Sequence, residues 1–341
     1  MKIGIRADGS KKIGMGHLTR CSALAMELQK RGHETTFVTL QGTSGWSWLQ
    51  DNGFSTIGVI SGNSDEECAF VSQWCRTNNV AALIVDSYSV TSEYLACLKE
   101  NSIQVVVIDD DHRFSYDCSM LINGNFSADI SDYSDCKSKR MLVGPQYAIL
   151  RKEFNREAAP LRDQIHNVLV TLGGSDPNSY TPVVLDGLKD FERITIKVVI
   201  GPLMNNEEEI KKAGKKCKGK VQLLKNPESM ADLMLNCDIA ITAGGGTIKE
   251  LFAMGVVSVV ILQADNQNRL GKKLASIGYD LCLGSYKDVD PDRIKNVVGR
   301  LISNPGLREA YRNKFVGIVA MNGTARIVDE LLCMIDRKRG N

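Results

Sequence analysis

Short apolar runs alternate with amphipathic helical stretches along the chain, and this alternation restricts the possible folds more than any other feature of the sequence. In the first half, strands are predicted over residues 3–7, 35–40, 82–86, 104–109, 120–123 and 141–144. Helices, with apolar side chains at three- and four-residue spacing, are predicted over residues 18–31, 65–77 and 91–100. Strands that alternate with helices form a parallel sheet covered by helices on both faces. The first half is therefore predicted to be a doubly wound α/β domain.

The second half of the chain repeats this pattern. Its strands are predicted over residues 168–172, 194–200, 221–224, 238–242 and 256–262, and only helices follow from residue 290 onward. Two helix starts are predicted where a capping residue precedes a proline, at Asn226-Pro227 and at Asp290-Pro291. The second half is therefore predicted to be another Rossmann-like domain.

The length of 341 residues suits two domains of ordinary size. We predict Rossmann-like domains over residues 1–150 and 151–325 that face each other across a cleft, and a C-terminal helix over residues 326–341 that packs back on the first domain. Because ligands of such sheets bind beyond the carboxyl ends of the strands, we expect the functional site in this cleft.

The overall composition argues against several classes of partner. Hydrophobic residues make up 43% of the chain and charged residues 24%, as in soluble globular proteins, and the net charge is +2. This balance gives no reason to expect a nucleic-acid or anionic-membrane partner. No apolar run reaches membrane-spanning length, and we expect no signal peptide before the first strand. We expect a cytoplasmic monomer.

Two groups of residues could bind metals, but neither is predicted to do so. The ten cysteines are scattered without a Cys-x-x-Cys pair, and we predict reduced core thiols rather than metal ligands or disulfides. The acidic run Asp109-Asp110-Asp111, with His112, is similar to the Asp-x-Asp of metal-dependent transferases. Since acidic residues at a strand end commonly form turns, we expect no bound metal and no other cofactor.

A glycine turn, Gly14-Met15-Gly16-His17, joins the first strand to the first helix. Gly14 and Gly16 permit a tight turn and leave room for a ligand beside the helix N-terminus, which favours anions. The helix dipole disfavours the imidazolium form of His17, so its neutral ring can accept a proton as a general base. The alternative is that His17 merely occupies a helix start and the glycines merely turn the chain.

Two better-known glycine turns do not fit this segment. In a phosphate-binding P-loop, Lys and then Ser or Thr would stand where the chain has Met15-Gly16. In a dinucleotide-binding turn, a third glycine would stand at Thr19, and the strand at residues 35–40 would be followed by an acidic residue. The sequence therefore argues against an NAD-dependent enzyme.

A second glycine turn follows the predicted strand at residues 238–242. Gly245, Gly246 and Thr247 could direct backbone N–H groups at a diphosphate. Glu250, one helical turn further on, could accept hydrogen bonds from ribose hydroxyls. The alternative is a capping box, in which Glu250 only satisfies the N–H group of Thr247.

Two further turns follow strands of the second half. One contains Gly174, and the other contains Asn266 and Gln267. Each could be an ordinary polar loop. Three such turns at the carboxyl ends of neighbouring strands together predict a nucleotide-diphosphate ligand held by the second domain.

Taken together, these segments resemble the UDP-sugar hydrolase family of pseudaminic acid biosynthesis, over residues 3–284. The motifs that carry the resemblance are, in chain order, Arg6-x-Asp8, Gly14-x-Gly16-His17, Arg20-Cys21, Leu24-Ala25, Asp86-Ser87-Tyr88, Asp109-Asp110, Tyr147-Ala148-x-Leu150-Arg151, Gly173-Gly174-Ser175-Asp176-Pro177, Gly244-Gly245-x-Thr247 and Asn266-Gln267. The family is similar to the two-domain GT-B glycosyltransferases, and its members remove UDP from a diacetamido trideoxy altrose. The resemblance therefore implies a GT-B fold and a UDP-sugar substrate.

The resemblance also implies roles for individual residues. His17 matches the general base of the family, and Glu250 matches its ribose-binding acid. Tyr88 and Asn266 match polar groups near the sugar. The other substrate-binding positions that we carry over by motif are Asp8, Gly14, Gly16, Arg20, Arg151, Gly174, Gly245, Gly246, Thr247 and Gln267.

The chain departs from the family pattern at two positions. Val257 stands where the family commonly has proline, and Lys249 stands where a tryptophan often precedes the glutamate. The first change concerns the entry to a strand. The second lies beside the ribose or base pocket, so it leaves the choice of nucleobase open.

Three classes of function remain open at this stage. The first is an inverting nucleotide-sugar hydrolase, in which His17 activates water. The second is a glycosyltransferase of the same fold, although the sequence offers no basic amphipathic helix of the kind that a membrane-docked transferase uses. The third is a nucleotide-sugar-binding protein without activity, against which the position of His17 argues. We favour the hydrolase.

Overall fold

The computed structural model describes residues 1–10, 13–60 and 64–339. Within these ranges the chain forms two compact units. The first comprises Met1–Arg151 and Asn322–Asn341, and the second comprises Lys152–Met321. The last two positions of the helix predicted over 326–341 lie outside the described residues.

The first unit alternates strands and helices along its main stretch. Its strands are β1 (Lys2–Ala7), β2 (Glu34–Leu40), β3 (Thr56–Val59), β4 (Val80–Asp86), β5 (Val105–Ile108), β6 (Met120–Asn123) and β7 (Met141–Val143). Its helices in this stretch are α1 (Gly16–Lys30), α2 (Ser44–Asp51), α3 (Ser64–Thr77) and α4 (Ser92–Glu100).

All seven strands of this unit form one parallel sheet in the order β3-β2-β1-β4-β5-β6-β7. The chain runs outward from β1 in one direction, then crosses back to β4 and runs outward in the other. The strand order therefore reverses between β1 and β4, where doubly wound folds bind ligands. The register pairs Ala7 with Asp86, so these two strands end side by side.

Two elements of the first unit are absent from the sequence-based prediction. Helix α2 has eight residues and buries little besides Gly45 and Leu49. Strand β3 has four residues at the sheet edge and is mostly half-buried. Neither is long enough or apolar enough to show a clear hydrophobic period.

The prediction that every cysteine is a reduced thiol is wrong for one pair. Cys68 on α3 and Cys97 on α4 form a disulfide, with their Cα atoms 6.5 Å apart. The two cysteines are 29 positions apart in the sequence, and they meet because α3 and α4 pack side by side on one face of the sheet. Free thiols at Cys21, Cys75 and Cys118 are buried as predicted.

The second unit is built in the same way. Its strands are β8 (Asn167–Thr171), β9 (Thr195–Ile200), β10 (Lys220–Lys225), β11 (Ile239–Ala243), β12 (Val257–Leu262) and β13 (Cys282–Ser285). Its helices are α5 (Thr181–Leu188), α6 (Glu207–Gly214), α7 (Met230–Leu235), α8 (Thr247–Ala253), α9 (Asn268–Ser276), α10 (Pro291–Ser303) and α11 (Pro305–Arg312). The parallel sheet has the order β10-β9-β8-β11-β12-β13, so its reversal lies between β8 and β11. The predicted pair of doubly wound α/β sheets is confirmed.

One of the two predicted helix starts in this unit is correct. The side chain of Asp290 accepts a hydrogen bond from the backbone of Arg293 and caps α10. Asn226 does not cap a helix, because its φ of 45° places it in a left-handed turn rather than in the extended conformation of an N-cap. Helix α7 begins three residues later than predicted, behind the capping side chain of Ser229.

A last helix, α12 (Gly323–Arg339), belongs to the first unit. Its buried side chains Ile327, Val328 and Leu331 join the core cluster that contains Leu18 and Leu24 of α1. The helix begins three residues before the predicted position of 326. No helix in the described part of the chain has the length and apolar character needed to cross a membrane.

Candidate functional site

The glycine turn lies at the carboxyl end of β1, beside the point where the strand order of the first sheet reverses. Gly14 has a φ of 80°, which an L side chain rarely adopts, and it exchanges two backbone hydrogen bonds with Ser10. Helix α1 then begins at Gly16, behind Met15. His17 is therefore in the first turn of α1, and it is buried, with 6% of its surface exposed.

Helix α2 supports this turn through a close backbone contact. The N–H of Gly45 donates to the carbonyl of Gly9 over 3.0 Å. A Cβ atom at Gly45 would lie 2.4 Å from that carbonyl oxygen, so only glycine fits at this position. The short helix missed by the sequence reading therefore positions the segment that leads to His17.

Asp86, the last residue of β4, contacts the ring of His17. Nδ1 of His17 lies 2.7 Å from Oδ1 of Asp86, and the carboxylate is buried, with 1% of its surface exposed. Nη2 of Arg20 lies 3.0 Å from the same ring nitrogen, and it also donates to Oδ1 of Asp86. We assign the proton of the neutral ring to Nδ1, because both groups then donate to the carboxylate, which can only accept. Nε2 is thereby left as the acceptor, which is the tautomer that a general base requires.

Arg20 stands one turn further along α1 and joins two carboxylates. Its Nε donates to Oδ2 of Asp86 over 2.6 Å, and its Nη1 lies 2.7 Å from both oxygens of Asp110. Burial alone raises the pKa of Asp86, but the Arg20 charge and the hydrogen bonds from Arg20 and His17 outweigh it and lower that pKa below its ordinary value. Asp86 is therefore ionised whenever the folded protein is near neutral pH.

Tyr88 and Asn125 complete this network from the ends of β4 and β6. The Tyr88 hydroxyl donates to Oδ2 of Asp110 over 3.2 Å, and the Asn125 amide donates to Oδ1 over 2.9 Å. Burial, and then the negative charge of Asp110, raise the pKa of Tyr88, so its hydroxyl keeps the proton that it donates. The Tyr88 ring stands edge-on to the His17 ring, with centroids 4.5 Å apart.

Asp8 lies close to this network but binds protein groups. It is buried, with 3% of its surface exposed. Its Oδ1 accepts from the backbone N–H of Leu40, and its Oδ2 lies 2.6 Å from Nη1 of Arg6 and 3.3 Å from the hydroxyl of Ser87. Asp8 thus ties together the carboxyl ends of β1, β2 and β4.

Asp86 and Asp110 belong to the motifs that carry the resemblance, but neither was assigned to the substrate site from the sequence, and Asn125 was not singled out. Asp86 ends β4, Asp110 follows β5 and Asn125 follows β6. The strand order reverses between β1 and β4, so Asp86 lies beside the reversal point. Asp86 could have been found, because a doubly wound fold places the ends of its two central strands together. Its partner His17 is 69 positions away, so spacing alone gives no sign of the contact.

In the second unit, the turn after β11 leads into α8. Gly245 and Gly246 are exposed, and an added Cβ atom at either would meet no other atom within 4 Å. The first N–H groups of a helix have no partner within the helix, so this open turn suits an anion. Gly246 is the residue that precedes the helix, so Thr247 does not occupy the cap position that the alternative capping box requires. Glu250 is half-buried in the first turn of α8.

Gln267 braces the glycine turn from the neighbouring loop. Its Oε1 accepts from the N–H groups of Gly244 and Gln263, over 3.1 and 2.8 Å. Asn178 holds the same loop through a 2.9 Å hydrogen bond to the carbonyl of Gln263. Asn266 lies next to Gln267 in a short 3-10 helix and is exposed. The side-chain oxygen of Gln267 therefore supports the glycine turn, whereas the side chain of Asn266 is accessible.

The remaining predicted positions lie at two places. Gly174 follows β8, and its carbonyl accepts from the N–H of Leu203 over 2.9 Å. Asp176, in the same turn, is buried and accepts from the backbone of Tyr180 and Thr181, so it fastens the start of α5. Arg151 is half-buried and ends the first continuous stretch of the first unit.

The two doubly wound units give the chain the GT-B fold, which is known from glycosyltransferases. MurG of Acinetobacter baumannii has a similar structure, with a TM-score of 0.70 and 16% identity over 96% of this chain and 98% of that one. Residues 167–329 match the family model of the glycosyltransferase family 28 C-terminal domain.

Several curated proteins are similar in sequence. The spore coat polysaccharide biosynthesis protein SpsG of Bacillus subtilis is 29% identical over 96% of both chains. The UDP-2,4-diacetamido-2,4,6-trideoxy-beta-L-altropyranose hydrolase of Campylobacter jejuni is 25% identical over 82% of this chain and 98% of its own length. An uncharacterized protein of Methanocaldococcus jannaschii is 29% identical over 78% of this chain, and the match spans 57% of that longer protein.

Proposed function

We propose that this protein is an inverting nucleotide-sugar hydrolase, which cleaves a UDP-linked diacetamido trideoxy sugar at its anomeric carbon. The observation that carries the proposal is the buried contact between His17 and Asp86, which leaves Nε2 of His17 as a proton acceptor. The match to the Campylobacter jejuni hydrolase, over nearly its whole length, supports this substrate class. The products are UDP and the free sugar, which then enters nonulosonic (pseudaminic) acid biosynthesis.

His17 acts by taking a proton from the attacking water. The imidazolium that results is stabilised by Asp86, whose carboxylate lies 2.7 Å from Nδ1. While His17 is neutral, Asp86 and Asp110 each carry a negative charge and Arg20 carries one positive charge, so the network has a net negative charge. Proton transfer from the attacking water to His17 brings the net charge of this network to zero.

The second unit binds the UDP group in this proposal. Its glycine turn offers the backbone N–H groups of Gly245, Gly246 and Thr247 to the diphosphate, where they stabilise the charge that develops as UDP leaves. Glu250 accepts hydrogen bonds from the ribose hydroxyls. The remaining substrate contacts are proposed for the positions Gly14, Gly16, Arg20, Tyr88, Arg151, Gly174, Asn266 and Gln267, with Asp8 acting through the residues that it positions.

The proposal predicts which bond is broken. Hydrolysis in oxygen-18 water is expected to place the label in the released sugar and none in UDP, because water attacks carbon. The first sugar released is expected to have inverted anomeric configuration by proton NMR, since no protein nucleophile intervenes. Incubation with UDP-, GDP- and CMP-linked sugars in parallel identifies the nucleotide. Label in phosphate, or UMP with a sugar phosphate as products, would refute the proposal.

A glycosyltransferase is the second candidate, and the match of residues 167–329 to glycosyltransferase family 28 favours it. The two functions differ in their dependence on an acceptor. A hydrolase releases UDP at full rate in buffer alone, whereas a transferase releases UDP rapidly only when an acceptor sugar or lipid is added. Steady-state UDP release with and without a panel of acceptors separates them.

Replacing Glu250 by alanine is expected to weaken UDP binding by about 1.5–3 kcal/mol, the scale of hydrogen bonds to a charged group. Titration calorimetry with UDP measures this loss. Asp292→Ala is the matched control, because Asp292 is also an acid in the first turn of a helix of the second unit. If Glu250→Ala binds UDP as tightly as the wild type and only lowers stability, Glu250 has a structural role.

A further inference from the structure

Three possible metal ligands meet in the first unit, and none of them is assigned to catalysis. His112 follows β5, whereas Asp135 and Cys136 lie in the segment between β6 and β7. Their ligand atoms all lie within 4.8 Å of one another. Imidazole, carboxylate and thiolate together are a ligand set that zinc prefers.

The distances between these atoms are close to those in a zinc site. Nε2 of His112 lies 2.9 Å from Oδ1 of Asp135 and 3.8 Å from Sγ of Cys136, and Sγ lies 3.6 Å from Oδ1. A tetrahedral ion with bonds of about 2.0–2.3 Å would hold such atoms about 3.4–3.6 Å apart. Two of the three separations fit within about 0.2 Å, and the third needs a movement of about 0.5 Å.

Contacts outside the three ligands hold the two segments together. The backbone N–H of Tyr116 donates to Sγ of Cys136 over 3.2 Å, which is the type of hydrogen bond that stabilises a metal-bound thiolate. The Ser115 hydroxyl donates to the carbonyl of Asp135 over 2.6 Å, and the N–H of Lys137 donates to the carbonyl of Tyr116 over 2.9 Å. These hydrogen bonds therefore hold the two segments together without a bound ion.

The loop that carries His112 is fastened in the same way. Asp109 accepts from the backbone N–H of His112 over 2.8 Å and from the hydroxyls of Tyr116 and Tyr133. Asp110 binds Arg20. Of the acidic run and the histidine that follows it, His112 belongs to this cluster. The carboxylates of Asp109 and Asp110 bind other groups.

We propose that His112, Asp135 and Cys136 bind a zinc ion that leaves its fourth position open to solvent. The side chain of Asp135 is 52% exposed, so water can reach the ion. This proposal replaces our expectation that the protein binds no metal, and it is independent of the proposed hydrolase activity. Because His112 shares a short loop with Asp110, the ion would restrain the segment that binds Arg20.

Titration of the metal-free protein with Co²⁺, which substitutes for zinc, tests the proposal. One equivalent is expected to produce a thiolate-to-cobalt charge-transfer band and intense visible bands of a tetrahedral ion, and Zn²⁺ is expected to remove both. Cys136→Ser should abolish the charge-transfer band, and His112→Ala should weaken Co²⁺ binding more than tenfold. Matched controls are Cys217→Ser and His166→Ala in the second unit, which should behave like the wild type.

A second measurement uses the unaltered chain, in case a variant does not fold. Zn²⁺ is expected to slow alkylation of Cys136 at least tenfold, as followed by peptide mass spectrometry, while alkylation of Cys217 and Cys282 stays unchanged. The proposal is overturned if Co²⁺ gives no charge-transfer band, if the band persists in Cys136→Ser, or if Zn²⁺ protects all three thiols equally.

Discussion

Replacing His17 by asparagine is expected to lower turnover by ~10²- to 10⁴-fold, the usual contribution of a general base. Asparagine keeps a polar side chain at this buried position, but it cannot take a proton from water. UDP binds to groups of the second unit in our proposal, so its affinity is expected to stay within about twofold of the wild type. Initial rates of UDP release and titration calorimetry measure the two quantities.

The matched control is His33→Asn, which changes the other histidine beside α1, at the opposite end of the helix. This variant is expected to keep the wild-type rate. Near wild-type turnover in His17→Asn would remove His17 from the chemistry. A parallel loss of turnover and UDP affinity would indicate a structural defect instead.

Replacing Asp86 by asparagine is expected to lower turnover by roughly 10²- to 10⁴-fold, although Asp86 does not touch the substrate in our proposal. The amide of asparagine can donate to Nδ1 of His17, which moves the ring proton to Nε2. The acceptor that the reaction needs is then lost. The change also removes a negative charge that stabilises the imidazolium.

Asp110→Asn separates the effect on His17 from the effect on Arg20. This variant removes a partner of Arg20 but leaves the contact between His17 and Asp86 in place, so we expect less than about a tenfold loss of turnover. Equal losses in Asp86→Asn and Asp110→Asn would mean that Arg20, rather than the tautomer of His17, controls the rate. Thermal unfolding and UDP affinity show whether each variant is folded.

The fold could be predicted largely from the sequence because hydrophobic periodicity is a local property. The prediction failed where the local pattern was weak. It missed α2, which carries a glycine, Gly45, for its contact with Gly9, and it missed β3, which is a short edge strand. It also failed at Asn226, where a capping residue followed by proline adopts a left-handed turn. The Cys68–Cys97 disulfide depends on how two helices pack, which residue spacing does not reveal.

The candidate site shows the same limit. The placement of His17 and of the turn before α8 could be predicted, because each follows a strand and leads into a helix in the sequence itself. Their roles stay predictions. Asp86 and Asp110 reach Arg20 from 66 and 90 positions away, so only the folded sheet brings them together. The cluster of His112, Asp135 and Cys136 was missed for the same reason, since its members come from separate segments.

The return of α12 to the first unit affects how a ribosome can produce this protein. The second unit is one continuous stretch, Lys152–Met321, and can fold as soon as it has been synthesised. The first unit lacks α12 during that time, so the apolar side chains that Ile327, Val328 and Leu331 later cover are exposed to water. At ~5–20 residues per second, translation of the second unit takes roughly 10–30 s. The N-terminal unit is thus the last to be completed, and during that interval it is the part of the nascent chain most open to chaperones and aggregation.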